Sequence, residues 1–217
     1  DQCGWLDVVK LTDEDIRKTN QYLENLKRDA LMVQHADYDT YLGSLEQKAA
    51  LREFEPKHLD RITQLINKTN QFNLTTRRSS AGEMAAFAAD PERTVLAARL
   101  SDRFGDSGLI SVAVGRMARG AGEPTLDIET WVMSCRVLGR RVEFAMRDAL
   151  AEAARRMGAR WMIGHYRPTQ RNGLVADLYA QLGFDRIGGD DAGGTDWRLE
   201  LDGDLPRWRS PFAVASS

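Results

Sequence analysis

Arg136-Val-Leu-Gly139-Arg-Arg141 is the stretch of this sequence with the plainest chemistry. An apolar strand pattern (Leu126, Ile128, Thr130, Val132) runs into it, and the helical period of Val142, Ala145, Met146, Ala149, Leu150 and Ala153 leads away. A strand that stops at a glycine turn and feeds a helix leaves backbone N–H groups unpaired at the positive end of the helix dipole. Such a place suits an anion. Arg136 and Gly139 therefore read either as a phosphate cradle, of the kind that holds the pyrophosphate of an acyl-carrying cofactor, or as a plain strand-to-helix turn. Arg141 either adds a bidentate phosphate contact or obstructs a backbone approach that a small residue would permit.

Other residues could act beside it. Glu129, expected on the inward face of the same strand, is a candidate general base or else the partner of a neighbouring arginine. The stretch Asn67–Thr76 is dense in amides and hydroxyls, so Asn67, Asn70, Gln71, Asn73 and Thr75 are candidates for substrate contacts. Buried amides must pair with something, and a self-satisfied polar loop is the competing reading. Cys135 has no histidine beside it and reads as an inert thiol rather than an acylated nucleophile. His35, His58 and His165 show no ligand spacing, so no metal is expected in this chain. Asp37-Tyr-Asp39 has the paired aspartates of a haloacid-dehalogenase-type phosphatase but lacks the apolar strand that must precede them.

Composition narrows the classes. The 217 residues are 42% hydrophobic and 29% charged, which is ordinary for a globular protein. A formal net charge of −2 supplies no basic field and argues against a dedicated nucleic-acid binder. No apolar run is long enough to cross a bilayer and no signal-peptide pattern is present, so no membrane partner and a cytoplasmic location are expected. Cys3 and Cys135 are expected to be reduced there. The opening Asp1-Gln-Cys-Gly-Trp5 reads as the tail of something longer or a trimmed chain.

Positioning these residues falls to a regular alternation of elements. Thr12 followed by Asp13-Glu-Asp15 predicts a helix start, running to about Gln34, and Asp37–Gly43 a second short helix. Residues 1–43 are thus a helical extension, 44–202 the main domain and 203–217 an irregular tail. In the main domain the patterns predict a strand over Leu45–Phe54, a helix from Leu59 to Lys68, a polar loop Thr69–Ser80 and a helix Glu83–Ala89. Strands follow at Thr94–Leu100, Gly108–Met117 and Pro124–Met133, then a long helix Gly139–Met157. A strand Arg160–Tyr166, a helix Arg171–Leu182 and closing strands Phe184–Ile187 and Asp196–Leu201 complete it. The order gives an α+β class: a mixed, mostly antiparallel sheet flanked by helices, with meander strands ahead of one βαβ crossover.

That order, with Arg136-Val-Leu-Gly139-Arg-Arg141 after the fourth strand, resembles the GCN5-related N-acetyltransferases (GNAT). Their turn carries Arg/Gln-x-x-Gly-x-Gly/Ala and binds coenzyme A pyrophosphate; the last position is altered here to Arg141. Ala176-Asp-Leu-Tyr179-Ala-Gln-Leu-Gly-Phe184 is similar to their last helix. The resemblance implies that Tyr179 protonates a leaving thiolate, and that Asn172 upstream binds a pantetheine or phosphate group. On the residues alone, Tyr179 reads equally as an aromatic packed on the sheet and Asn172 as a helix N-cap.

A closer resemblance spans nearly all of residues 1–187. Asn67-Lys-Thr-Asn-Gln-Phe-Asn-Leu-Thr-Thr76, Asp102-Arg-Phe-Gly-Asp106, Ser134-Cys-Arg-Val-Leu-Gly139 and Tyr166-Arg-Pro-Thr169 together resemble the C-terminal half of FkbH-like proteins, as do Cys3-Gly-Trp5 and Leu11-Thr-Asp-Glu-Asp15. Such proteins join a haloacid-dehalogenase-like half to a GNAT-like half and place a glyceryl unit on an acyl carrier protein for polyketide assembly. The resemblance implies three partners or cofactors: a carrier protein with its phosphopantetheine arm, coenzyme A as the other thioester carrier, and a haloacid-dehalogenase-like domain missing from this sequence. Arg136, Gly139 and Asn172 would hold the phosphate end and the 67–76 loop would face the acyl group, while Arg77 and Arg78 read either as attracting an acidic carrier or as a solvated face. A non-catalytic docking module and a free-standing acetyl-CoA-dependent N-acetyltransferase are the alternatives.

Overall fold

A computed structural model describes residues 13–119, 122–203 and 213–215. One sheet forms its centre, made of β1 (Lys48–Glu53), β2 (Arg93–Asp102), β3 (Gly105–Ala118), β4 (Thr125–Met133), β5 (Trp161–Tyr166), β6 (Asp185–Gly189), β7 (Thr195–Glu200) and β8 (Ala213–Ala215). The eight strands lie in the order β6-β7-β5-β4-β3-β2-β1-β8. Strands β4 and β5 are parallel, as are β1 and β8, and the other neighbours are antiparallel. The meander β2–β3–β4 needs only tight turns, whereas the parallel β4–β5 pair needs a crossover, which α5 (Val142–Arg156) supplies.

Each face of the sheet has its own core. Along α5, Val142, Met146, Leu150 and Ala154 recur at helical spacing and pack with Leu100, Ile128, Met162 and α6 (Leu178–Gln181). On the other face Ile62, Leu65 and Ile66 of α3 (Leu59–Lys68), with Met84 of α4 (Ala81–Ala89), cover Val95, Val112, Val114 and Val132. A capping box between Ser80 and Glu83 starts α4. The extension, α1 (Asp13–Val33) and α2 (Tyr38–Ser44), forms a third cluster of Tyr41, Leu42 and Leu45 with Leu31 and Phe104. No helix among the described residues is long and apolar enough to cross a membrane.

Several boundaries differ from the sequence reading, each for a local reason. Helix α5 begins at Val142 rather than Gly139, because Gly139 (φ 77°) and Arg141 (φ 63°) are both left-handed. The helix expected over Arg171–Leu182 is a 3-10 turn, Gly173–Val175, followed by the four-residue α6. There the buried Asn172 accepts from the Thr169 N–H and bends the chain before a helix can propagate. Strand β1 starts at Lys48, after Glu46 turns left-handed at φ 51°. The tail is not wholly irregular, since Ala213–Ala215 pairs in parallel with Lys48–Ala50. Thr12, proposed as the first helix start, and Cys3-Gly-Trp5 lie outside the described residues.

Candidate functional site between β4, β5 and the β4–α5 turn

Strands β4 and β5 pair only from Thr125–Trp161 to Ile128–Gly164, then diverge. Past Ile128 the edge of β4 has backbone groups that β5 no longer reaches. An extended amide chain, such as a pantetheine arm, could pair there as an added strand. In this protein the chain itself takes the place. Met133 N–H donates to the Phe72 carbonyl (3.0 Å), and Leu74 N–H donates to the Trp131 carbonyl (3.2 Å). Asn73 bridges Val132, the Thr75 hydroxyl donates to the Glu129 carbonyl (2.9 Å), and Arg167 N–H donates to the Leu74 carbonyl (2.8 Å) from the end of β5. Phe72–Leu74 is consequently a short buried segment, bridged to β4 at Asn73, that fills the divergence.

The amides of the 67–76 stretch are mostly paired within the protein. Asn67 exchanges bonds with Ser79, its Nδ2 donating to the Ser79 carbonyl (2.7 Å) and its Oδ1 accepting from the Ser79 N–H (3.3 Å). Asn73 donates to the Thr69 carbonyl and accepts from the Thr76 N–H, while Asn70 accepts from Arg78. Gln71 alone of the five candidate substrate contacts is exposed without a side-chain bond among the described residues. The network reading of this loop is therefore the one realised, with Arg78 further tied to the carbonyls of Ile66 and Thr69.

Arg136, Gly139 and Arg141 do lie together at the end of β4, on a turn capped by the helical extension. The Tyr38 hydroxyl donates to the Gly139 carbonyl (3.0 Å), Arg141 forms an ion pair with Asp39, and Arg136 donates to Gln21 Oε1 (2.7 Å). A Cβ at Gly139 would stand 2.7 Å from Tyr38 Oη, so the close approach that glycine permits is spent on α2. The Glu143 carboxyl occupies the first turn of α5, and burial pushes its pKa up. Beneath this, Asp102 is enclosed by Arg28 (Nε–Oδ2 2.7 Å), Arg140 (2.7 Å) and the N–H groups of Phe104 and Gly105. Burial opposes the charge of Asp102, but the hydrogen bonds from Arg28 and Arg140 win and hold its pKa below the usual carboxylate range.

Asn172 is fully buried and stands at the N-cap position of the 3-10 turn, but its side chain makes no capping hydrogen bond. Its Nδ2 donates to the carbonyls of Asn73 (2.9 Å) and Arg167 (2.9 Å), which pins the inserted segment to the chain leaving β5. Tyr179 is likewise fully buried, edge-on to Trp131 and Phe184, with its ring lying where a Cβ on Gly164 would have to go. The backbone of His165 is the polar group its hydroxyl faces, without a well-formed hydrogen bond, and burial raises its pKa far above the ordinary phenol. Of its two sequence readings, aromatic packing is the one this environment suits. Tyr179→Phe should change stability by no more than about 1 kcal/mol, because the hydroxyl that is removed has at most a poorly formed backbone partner. Lost acyl transfer at an unchanged Tm would return the phenol to the chemistry.

Glu129 lies on the opposite face from Tyr179. It is the bulged residue of β4, since Thr130 faces Val114 and Ile128 faces Gly115. Arg77 (3.1 Å) and Arg93 clamp its carboxylate, which is the arginine-partner reading of the sequence. Beside it opens a groove of about 560 Å³ lined by Glu92, Arg116, Arg119 and Asp127. The same face carries a cluster the sequence did not disclose. His165 Nδ1 lies 2.6 Å from Asp196 and Nε2 lies 3.0 Å from Asp127, while Arg167 donates to Asp196 (2.7 Å). Its members come from β4, β5 and β7, so only the register reveals them.

The hydrogen bond to Asp127 raises the His165 pKa; burial opposes this and Asp196 adds to it. A raised folded pKa makes this contribution to stability full below the unfolded value of about 6.5, and it fades as pH rises through the folded value. An NMR titration of His165 should give a midpoint above 6.5, and the stability advantage of the protein over His165→Gln should shrink with increasing pH in that range.

No group of three or more His, Cys, Asp or Glu among the described residues could hold a metal ion. The edge of β4 beyond Ile128 is taken by Phe72–Thr75, and the β4–α5 turn, where the sequence suggests a phosphate would sit, is in contact with Tyr38 and Asp39.

Neither a protein-family model nor a curated protein matches the sequence. Solved structures do. The GNAT domain of PAT from S. lividans superposes with a TM-score of 0.54 at 16% identity, over 69% of this chain and 89% of that one. An acetyltransferase of the GNAT family from Streptococcus pneumoniae gives 0.55 at 16%, over 70% and 98%. YncA of Salmonella typhimurium, solved with its cofactor acetyl-CoA, gives 0.52 at 18%, over 74% and 98%. At such identities the likeness speaks for the fold: this chain is built on the GNAT fold.

Proposed function

We propose that this domain is the GNAT-like half of an FkbH-like glyceryl-carrier-protein synthase. In this reading it receives an acyl carrier protein and steadies the arm-borne glyceryl thioester for a haloacid-dehalogenase-like partner domain. The observation that carries this is the Asn67–Thr76 stretch, whose residues resemble those of the FkbH-like proteins and whose Phe72–Thr75 backbone is hydrogen-bonded along the edge of β4.

One observation favours a second reading, acyl transfer from acetyl-CoA. Glu129, a carboxylate on a bulge, borders an open groove, where an acceptor amine could be deprotonated. Isothermal calorimetry separates the two. Coenzyme A should give no saturable heat, while a phosphopantetheinylated carrier protein should bind. Saturable coenzyme A binding would establish the second reading, and a carrier that fails to bind would sink the first.

A further inference from the structure

A helix that lies on a domain ordinarily buries its apolar stripe and turns its polar face to water. Helix α1 does the reverse. The residues it turns toward the sheet domain are mostly polar. Gln21 accepts from Arg136 (2.7 Å), Glu24 lies against Gly105, Arg28 holds Asp102 (2.7 Å), and Leu31 joins the Tyr41 cluster. About half a revolution around the same helix stand Leu23, Leu26, Ala30 and Val33. Leu23 is 50% exposed, Leu26 46% and Val33 84%, and Tyr22 beside them is 64% exposed. Five of the eight large hydrophobic side chains exposed among the described residues lie on α1, so this apolar surface is gathered in one place rather than scattered.

The spacing says what can cover it. Leu23, Leu26, Ala30 and Val33 follow at intervals of three, four and three residues, the a and d positions of a heptad seam. Such a seam is self-complementary, and an identical helix fits it across a twofold axis. The flanking charges choose the direction. In an antiparallel pair centred on the seam, Lys27 would meet Lys27 of the second copy and Asp29 would meet Asp29. In a parallel pair Tyr22 lies beside Lys27 of the second copy and Asp29 beside Gln34, with no like charges opposed. The sheet domain packs on the opposite side of α1, which leaves the seam open to that approach. The uncovered parts of Tyr22, Leu23, Leu26 and Val33 come to roughly 400 Å² per copy. A twofold pair therefore removes about 800 Å² of these side chains from water, and about 1,200 Å² with the flanking polar stems, the lower end for specific association.

We propose that two copies of this chain associate through a parallel, in-register pair of α1 helices, with Leu23, Leu26, Ala30 and Val33 at the twofold axis. The inner face of each helix, bonded to Arg136 and Asp102, then fixes one sheet domain on either side of the pair. The pairing does not depend on which thioester the domain receives.

Sedimentation equilibrium of the full chain between about 5 and 500 µM tests this, since an interface at the low end of size associates reversibly. The apparent mass should rise from 24.4 kDa toward twice that value. Leu26→Glu should weaken association at least about tenfold, because it sets two carboxylates against each other at the seam. Met32→Glu adds the same charge to the same helix at an exposed position off the seam and should leave association at the parent value. An equimolar mixture of Leu26→Glu and Leu26→Lys copies should restore the dimer, because a parallel pair places residue 26 of one copy against residue 26 of the other.

A chain that stays monomeric throughout, or a dimer indifferent to Leu26→Glu, would overturn the proposal. So would a dimer that Leu26→Glu breaks and the mixture fails to restore, since residue 26 then does not face itself. In a chain carrying Cys3→Ser, Cys135→Ser and Leu26→Cys, the single thiol should be protected from alkylation as protein concentration rises. Protection that appears only when the haloacid-dehalogenase-like partner domain is added would give the stripe to that domain and exclude the dimer.

Discussion

Asp102→Ala is expected to cost about 3–5 kcal/mol of folding stability, read as a shift in the denaturant midpoint at neutral pH. The carboxylate has no exposed surface and is the shared counterion of Arg28 and Arg140, both nearly buried. Removing it takes away the carboxylate partner of Arg140, leaves Arg28 only the longer pair with Glu24 (3.4 Å) and its bond to Asn25, and unpairs the N–H groups of Phe104 and Gly105 that close the β2–β3 turn. Asp102→Asn should recover little, because an amide brings an N–H donor toward arginines that need acceptors.

The pH dependence gives an independent check on the same residue. Its folded pKa is depressed, so its contribution is fully present above the unfolded value of about 3.9 and is lost as pH falls through the folded one. The gap between parent and Asp102→Ala should therefore narrow only in acid below about pH 4. A loss under about 1 kcal/mol at neutral pH would mean that water substitutes for the carboxylate and that α1 is held by its apolar contacts instead.

The second large effect concerns Asn172. Its amide, itself wholly buried, makes two donor bonds to the Asn73 and Arg167 carbonyls and accepts from the Thr169 N–H (2.7 Å), the last two bonds being part-buried. Asn172→Ala leaves the Asn73 carbonyl without that partner in the interior and lets water reach the Arg167 and Thr169 groups, so a loss of about 2–4 kcal/mol is expected. The effect should also be localised. Amide exchange at Leu74, Met133 and Arg167 should accelerate far more than exchange in α5, because those N–H groups hold the inserted segment in place. Asn172→Asp should be no milder, since it substitutes a buried charge for two donors. Uniform acceleration across the sheet would show instead that the inserted segment and the sheet unfold as one unit.

How much of this was legible in the sequence depends on the range of the interactions. The α5 stripe and the alternation in β4 are local and periodic, so the residues of both cores could be read from spacing. The order of strands and helices then led to the fold. Boundaries failed where one residue's backbone angle decides: Arg141 and Glu46 are left-handed without being glycine, and composition does not announce that. Ala213–Ala215 is too short to show a period and owes its pairing to β1.

At the site, the density of amides in 67–76 foretold a network, but not that its backbone would run along β4. The His165 cluster joins residues 38 and 31 positions apart, so only the sheet register assembles it. Glu129 was correctly placed on β4, while the arginines that clamp it come from a loop and from β2.

The enclosure of Asp102 bears on how the protein can be cut. Residues 1–43 read as a separable leader, yet Arg28 from α1 supplies half the counterion of a carboxylate deep in the sheet domain. Leu42 and Leu45 are wholly covered, and Glu24 abuts the glycine at 105. A protein trimmed to begin at residue 45 would not be a smaller version of the same module. Modularity along the chain and modularity in folding diverge here, so any transplant of this domain into another assembly should carry its first two helices with it.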